Sequence, residues 1–196
     1  MPNPIDPASR IATLVDEYRD HDNLGLLFDG LRVLAQDTSP EVLIDITRPY
    51  RDLPEVIIPL FESVVERLPN DAQAIVVLAN AYWLTGRGPD AVGKLARRAI
   101  DLDVENRGAW HLYALSESEP RARMERWRDV SGRFPADQLA RAALADNATS
   151  VAGAEHDPLA LDLAVATYES LLAEATSPAQ RKTLKDTIGT LKKWRL

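Results

Sequence analysis

The chain has 196 residues, of which 45% are hydrophobic and 27% are charged, so it can bury a sizeable apolar core and is not expected to be disordered. It contains no cysteine, which excludes disulfides, thiolate zinc sites and cysteine nucleophiles. The net charge of −7 is concentrated in residues 1–70, where 13 acidic residues stand against 6 basic ones, and this argues against a continuous nucleic-acid surface. The first residues do not read as an export signal and no apolar run is long enough to span a membrane, so we expect a soluble, cytoplasmic protein.

Proline residues divide the chain into predicted helices. Proline fits the first helical turn because its missing N–H would have no partner there, and a short polar residue before it can cap that turn. Such pairs precede apolar patterns of helical period at Asp6-Pro7, Ser39-Pro40, Gly88-Pro89, Asp157-Pro158 and Ser177-Pro178. In chain order the predicted helices are 7–20, 23–36, 40–50, 54–68, 71–85, 89–102, 106–117, 120–133, 136–150, 158–175 and 178–194, with no strand. Pro49 and Pro59 fall inside two of them, where we expect a kink or an early end.

A repeat of 32 residues relates these helices to one another. Tyr18, Tyr50 and Tyr82 recur at this spacing, and each follows apolar residues four and seven positions earlier. The pattern is most complete over 72–104, where Ala91 and Leu95 are the expected contact positions at the start of the second helix. It resembles the tetratricopeptide repeat, a helix–turn–helix unit of about 34 residues.

The resemblance extends, with falling precision, over most of the chain. Degenerate repeats are 8–39, 41–69, 107–135 and 138–175, and the last of these carries an insertion at 149–157. Residues 178–194 are expected to form the polar-faced cap helix that such arrays need. The resemblance implies an all-α fold, a single α-solenoid domain over 1–196 built from about five antiparallel helix pairs and the cap. It also implies a non-catalytic adaptor or scaffold for protein binding.

One stretch imitates a nucleotide-binding loop. Gly88, Gly93 and Lys94 have the spacing of a phosphate-binding P-loop. A true P-loop follows a strand and carries a serine or threonine after the lysine to bind magnesium. Here a predicted helix comes before the stretch and Leu95 follows the lysine, so we interpret it as the turn between two repeat helices. No nucleotide or other cofactor is expected.

Histidines and an arginine-rich helix suggest two further kinds of site. His21 and His156 each precede an aspartate, as in some metal phosphohydrolases, but too few further ligands accompany them and no metal site is expected. Residues 120–133 interleave five arginines with Trp127, a pattern that single-stranded nucleic acid can use. Met124, Trp127 and Ser131 share a helical face, so we expect them to pack inwards and the arginines to lie in solvent among acidic residues.

The helix predicted at 71–85 has a second apolar face, which in tetratricopeptide arrays lines a concave groove. A helix that is apolar all round is usually buried all round. We therefore predict that a helical or extended apolar segment of another protein binds there. The predicted lining is Val76, Val77, Asn80, Trp83, Leu84, His111, Leu112 and Leu115. Three other occupants stay open, namely the cap helix, the 149–157 insertion and a second copy of the chain in a homodimer.

The sequence argues against one known ligand class of this family and leaves two alternative functions open. Members of this family that receive acidic C-terminal tails use a clamp of lysine, arginine and asparagine. Asn80 matches one clamp asparagine, but Val76 and Leu112 stand where two other clamp residues would be, so acidic tails are not the expected ligand. The rivals are nucleic-acid binding through 120–133 and the basic C-terminus, and a role as regulatory subunit of an enzyme complex. No membrane partner is expected.

Overall fold

The computed structural model describes residues 6–194, and these residues contain helices and turns but no strand. The predicted all-α fold is therefore confirmed. Eleven α-helices and one 3₁₀ helix occur in this range. In chain order they are α1 (Pro7–His21), α2 (Leu24–Asp37), α3 (Pro40–Ile46), the 3₁₀ helix (Arg48–Tyr50), α4 (Pro54–Arg67), α5 (Ala72–Leu84), α6 (Pro89–Leu102), α7 (Arg107–Leu115), α8 (Pro120–Arg133), α9 (Gln138–Glu155), α10 (Pro158–Glu174) and α11 (Pro178–Leu191).

The helices form two compact units, Met1–Leu112 and Tyr113–Leu196, whose boundary falls inside α7. In the first unit α1 packs on α2, α2 and α3 on α4, α4 on α5, and α5 on α6. In the second unit α8 packs on α9, α9 on α10, and α10 on α11. Packing between helices that are neighbours in sequence and joined by short turns is the arrangement of an α-solenoid of antiparallel helix pairs. The single-domain organisation over 1–196 stays a prediction.

Short polar side chains begin most of these helices. Asp157, for example, accepts hydrogen bonds from the backbone N–H groups of Leu159 at 2.8 Å and Ala160 at 3.2 Å. Each such cap satisfies a donor that the first helical turn leaves unpaired, and is worth about 1 kcal/mol. The other side-chain caps are Asp6, Asn23, Ser39, Asp71, Asn106, Glu119, Asp137 and Ser177.

The two internal prolines behave differently. α3 ends at Ile46 and Pro49 lies in the 3₁₀ helix, so the early end expected for the helix at 40–50 is confirmed. α4 continues past Pro59 to Arg67, so an early end there is wrong. Pro59 is buried, and the apolar surface of its ring adds to the core and offsets the helical hydrogen bond that it removes.

The segment 149–157 is not an inserted loop. α9 was expected to end at 150, but it runs to Glu155. Ala148, Val151 and Ala152 are buried, and their spacing continues the apolar stripe of the helix by one more turn. His156 then ends the helix in the left-handed conformation, with φ 54°.

In the helix pair α5–α6, the buried side of α6 is shifted by one residue from its expected register. Val92, Ala96, Ala99 and Ile100 are buried. Ala91 and Leu95, the expected contact positions, are only half-buried, so that part of the prediction is corrected. Val92 and Ala96 continue the stripe of Ala99 and Ile100 at helical spacing, whereas Ala91 and Leu95 lie at its edge.

The helix α11 begins at the predicted residue 178 and ends at Leu191 rather than at 194, and its role as a cap stays a prediction. Ile188 and Leu191 are buried, whereas Leu184 is half-buried. The lysines at 182, 185, 192 and 193 are exposed, so the outer side of α11 is polar. A polar outer side is typical of the capping helices of repeat arrays.

The register of α6 predicts unequal effects of two alanine substitutions. Ala96 is completely buried, so Ala96→Leu should overpack the contact with α5 and lower the free energy of unfolding by about 1–3 kcal/mol. Ala91→Leu is the matched control, and it should lower the free energy of unfolding by less because Ala91 is half-buried. Urea unfolding followed by circular dichroism measures both. Equal losses in the two variants would contradict the register.

The turn before α6 predicts that glycine, and not lysine, is required in the P-loop-like stretch. Gly88 precedes α6 with φ 94° and ψ 148°, a conformation that other residues adopt only at a cost of about 1–3 kcal/mol. Gly88→Ala should therefore lower the free energy of unfolding by that amount. Lys94 is exposed, so Lys94→Ala should leave stability nearly unchanged. Magnesium-dependent ATP binding that is lost in Lys94→Ala would overturn the interpretation as a turn.

Candidate protein-binding surface

The outward side of α5 keeps large apolar side chains in contact with solvent. Trp83 is 39% exposed and Leu84 is 57% exposed. Val76 and Val77 are half-buried, and Asn80 is exposed. These residues recur at three- and four-residue intervals and so share one side of the helix. The core side of α5 is formed by Ala74, Ile75, Leu78, Ala79 and Ala81.

Of the three α7 residues in the predicted groove, one is buried and two are half-buried. Leu112 is 4% exposed, so it belongs to the core and a partner could not reach it. Its prediction as a groove residue is corrected. Ala109, Leu112 and Ser116 are all buried, and this helical spacing is the signal that could have identified Leu112 as a core residue. His111 is half-buried and has an interaction partner already. Leu115, also half-buried, belongs to the second unit.

Val76 is covered in part by the start of α7. A Cβ atom on Gly108 would lie 3.1 Å from Val76 Cγ1, which is tighter than most side-chain contacts. Glycine at 108 therefore allows the α7 backbone to approach α5 closely. The chain itself thus covers one end of the predicted surface, and the exposed part is centred on Asn80, Trp83 and Leu84.

A polar cluster of Glu62, Tyr82 and Arg87 fixes the end of α5 that carries Trp83. The Tyr82 hydroxyl donates to Glu62 Oε1 at 2.7 Å. An Arg87 guanidinium nitrogen lies 3.3 Å from the same oxygen, and the guanidinium carbon is 4.8 Å from the Tyr82 ring centroid. Burial and then the hydrogen bond to Glu62 raise the pKa of Tyr82 to about 12. Sequence reasoning missed this cluster because Glu62 lies on the preceding helix and no local pattern marks it.

The arginines of α8 make contacts inside the second unit. Arg121 Nη2 lies 2.6 Å from Glu155 Oε2 and 2.7 Å from Asp157 Oδ2. The Arg121 hydrogen bond holds the pKa of the Asp157 carboxyl below its usual range. Arg123 donates to Asn147 Oδ1 at 2.8 Å. These arginines are committed to acidic and amide groups of α9 and the turn after it.

The remaining arginines of this helix are also engaged. Arg126 donates to the Tyr113 carbonyl at 2.7 Å and forms an ion pair with Glu117. Arg128 pairs with Glu125 within the helix, and Arg133 has a partner too. Met124 and Trp127 are buried as expected, whereas Ser131 is half-buried. The expectation that the arginines lie in solvent among acidic residues is met at Arg128, whereas Arg121, Arg123 and Arg126 are half-buried, so that part of the prediction is corrected.

Residues 6–194 contain neither a metal-binding cluster nor a membrane-spanning helix. In that range no three histidine, aspartate or glutamate side chains come together in a way that would hold a metal ion. Within the same range, every helix is too short or too polar to cross a bilayer.

The fold is similar to that of solved repeat proteins. Two crystal structures of MamA have TM-scores of 0.59 and 0.61 at 16% and 17% identity, with 87% and 83% of this chain and 96% of each MamA chain covered. The crystal structure of a thermophilic TPR protein in Thermus thermophilus has a TM-score of 0.56 at 16% identity, over 95% of this chain and 98% of that one. The chain has a tetratricopeptide-like helical repeat fold. No protein-family model and no curated protein matches the sequence.

The Tyr82 cluster predicts a loss of stability when its hydroxyl is removed. Tyr82→Phe deletes the hydrogen bond to Glu62 and should lower the free energy of unfolding by about 1 kcal/mol. The pKa of Tyr82, about 12 against an ordinary 10.0, means that the folded state holds the proton more tightly. The contribution of the protonated Tyr82 hydroxyl to the free energy of unfolding is complete below about pH 10 and is lost as the pH rises towards 12.

Two measurements on the same variants check this prediction. In an alkaline titration followed by tyrosinate absorbance, Tyr82→Phe should lack one late-titrating group. In urea unfolding at rising pH, the free energy of unfolding of Tyr82→Phe should fall less than that of the wild type. Tyr18→Phe removes a hydroxyl from another half-buried tyrosine and is the control. An unchanged late phase in Tyr82→Phe would refute the assignment.

Proposed function

We propose that this chain is a non-catalytic adaptor that binds a helical or extended apolar segment of another protein on the outward side of α5. The observation that carries the proposal is the exposure of Trp83 beside Leu84, on a helix end that the Glu62–Tyr82–Arg87 cluster fixes. Tryptophan is among the residues that most often dominate binding energy at protein interfaces. The cluster holds this end of the α5 backbone in place, so that backbone loses little further entropy when a partner binds.

The composition of this surface favours an apolar partner segment. Leu84 and Trp83 offer apolar area, and the Asn80 amide can both donate and accept a hydrogen bond. Arg87, the charged residue closest in sequence, is held by Glu62 and the Tyr82 ring. An amphipathic helix laid into a groove, or an extended segment with alternating apolar residues, matches these properties.

The fold supports a non-catalytic role, because repeat folds of this kind generally serve as scaffolds for protein interactions. The tyrosines whose pKa is raised, Tyr82 and Tyr168, donate to Glu62 and Asp146 on neighbouring helices and so act in packing. A regulatory subunit of an enzyme complex would use the same surface. Nucleic-acid binding through α8 is not proposed, because its arginines are engaged in the contacts described above.

This surface predicts a selective loss of binding. Leu84→Ala and Trp83→Ala should each weaken binding of the partner by about 2 kcal/mol or more, roughly thirtyfold, as expected for central interface residues. Leu84→Ala should leave the free energy of unfolding within about 0.5 kcal/mol of wild type because Leu84 is exposed. Trp83→Ala should lower the free energy of unfolding by less than about 3–5 kcal/mol, which is the loss expected when a fully buried aromatic side chain is deleted.

The measurement has two stages. Partners captured by the immobilised wild type are identified by mass spectrometry, and each purified partner is then titrated calorimetrically against the variants. Leu159→Ala, which alters an exposed leucine of α10, is the matched control and should bind like wild type. If both α5 variants bind every partner with wild-type affinity, the proposal fails. If sedimentation shows a wild-type dimer that Leu84→Ala dissociates, the occupant is a second copy of the chain.

A further inference from the structure

A cleft of about 260 Å³ opens at the end of the α1–α2 hairpin, far along the sequence from the α5 surface. Leu14 and Leu27, which are buried, and the half-buried Tyr18 supply apolar lining. Leu26 also lines it and is 65% exposed. The polar residues at the cleft are Glu17, His21 and Asn23.

Leu26 is not required by the core of its own helix. Leu27, Leu31, Leu34 and Ala35 form the buried side of α2, and Leu26 stands outside that stripe. Val33, seven residues further along, is also exposed and lies on the same side of α2 as Leu26. Leu26 and Val33 are thus two exposed apolar side chains on one side of α2, two helical turns apart.

The cleft is already formed by close packing of the two helices. A Cβ atom on Gly30 would lie 2.5 Å from Leu14 Cδ2, so any other residue here would displace the Leu14 side chain. Asn23 caps α2 by accepting from the Leu26 N–H at 3.1 Å, and Asp22 ends α1 in the left-handed conformation with φ 50°. A partner would thus find the lining in place and would not have to order it.

The surroundings of the cleft are strongly acidic. Residues 6–39 contain seven acidic and three basic side chains. Two of the basic ones, Arg19 and Arg32, pair on their own helices with Asp16 and Asp29. Glu17, Asp20 and Asp22 lie at the C-terminal end of α1, where the helix dipole adds negative potential. A cation is favoured at this end of the hairpin and an anion is repelled.

We propose that this cleft is a second interaction site, which receives a basic segment of a partner protein with an apolar side chain at its centre. A leucine-like side chain enters between Tyr18 and Leu26. Flanking lysines or arginines lie against Glu17, Asp20 and Asp22. The apolar contact supplies affinity, while the charges select basic partners and speed their encounter.

A second copy of the chain matches the cleft less well than such a partner. The basic helix α11 offers Lys182 and Lys185, which suit the acidic rim. However, among the described residues of α11 no large apolar side chain is exposed, so it has nothing to place in the cleft. The arginines of α8 are engaged in their own ion pairs.

The test uses the full chain and designed peptides as probes. A fluorescein-labelled peptide with leucines at helical spacing and lysines beside them should bind, and the increase in its anisotropy gives the affinity. The same peptide with every lysine replaced by glutamate, or every leucine by serine, should bind about tenfold more weakly or worse. Glu17→Lys and Leu26→Gln should each weaken binding of the lysine peptide by about tenfold.

Matched control variants separate this site from general attraction to an acidic protein. Glu66→Lys makes the same charge change on the exposed side of α4, and Leu139→Gln alters a leucine of α9 that is also 65% exposed. Both should bind the lysine peptide like wild type. The proposal is overturned if the controls lose as much affinity as Glu17→Lys and Leu26→Gln, if those two bind normally, or if the glutamate peptide binds as tightly. It is also overturned if the wild type self-associates in sedimentation and Leu26→Gln does not, because a second copy then covers the cleft.

Discussion

Each helix of this chain buries its apolar stripe against helices that are near it in sequence, and the rest of the structure depends on that constraint. A core made only by neighbours needs close approach of the backbones, which small residues provide at Gly30, Gly108 and Ala96. It also leaves the sides of the helices that face no neighbour in contact with solvent. Apolar residues on those sides, such as Trp83 and Leu26, keep much of their surface in solvent, and this is why they are candidates for binding.

Tyrosines that reach from one helix to a carboxylate on the helix before it recur in both units. Tyr82 donates to Glu62 in the first unit, and Tyr168 donates to Asp146 in the second. Burial and the hydrogen bond raise the pKa of each hydroxyl to about 12, so each remains a donor at any physiological pH. Such bonds fix one helix relative to the next where the apolar contact alone would allow sliding. Trp83 follows Tyr82 in the same helical turn, so the Tyr82–Glu62 hydrogen bond also fixes the backbone that carries Trp83.

Sequence reasoning identified the helices because local signals determine them. Proline at the first turn, a polar cap and an apolar stripe act within a few residues, so the starts of α1, α3, α6, α10 and α11 were predicted correctly. Errors arose where packing between helices decides. The burial of Pro59 depends on the neighbouring helices, and packing also decides which of two adjacent registers, Ala91 and Leu95 or Val92 and Ala96, is buried in α6. The extra turn of α9 beyond 150 is different, because the apolar spacing of Ala148, Val151 and Ala152 already marks it. In the candidate site, the exposed side of α5 follows from its own composition, and the burial of Leu112 could have been inferred from its helical spacing with Ala109 and Ser116. The cleft beside Leu26 was missed because its lining comes from two helices.

The two surfaces of the first unit differ in charge, and this difference has a consequence for specificity. At α5 the neighbouring cation, Arg87, is neutralised by Glu62, so selection there rests on the shape of Trp83 and Leu84. At the α1–α2 cleft the carboxylates of Glu17, Asp20 and Asp22 repel acidic segments whatever their shape. A partner with both a neutral apolar segment and a basic one would engage the two surfaces at once. The second contact would then form at the effective concentration that the linker sets, so two weak sites would give a strong complex only with partners that carry both segments.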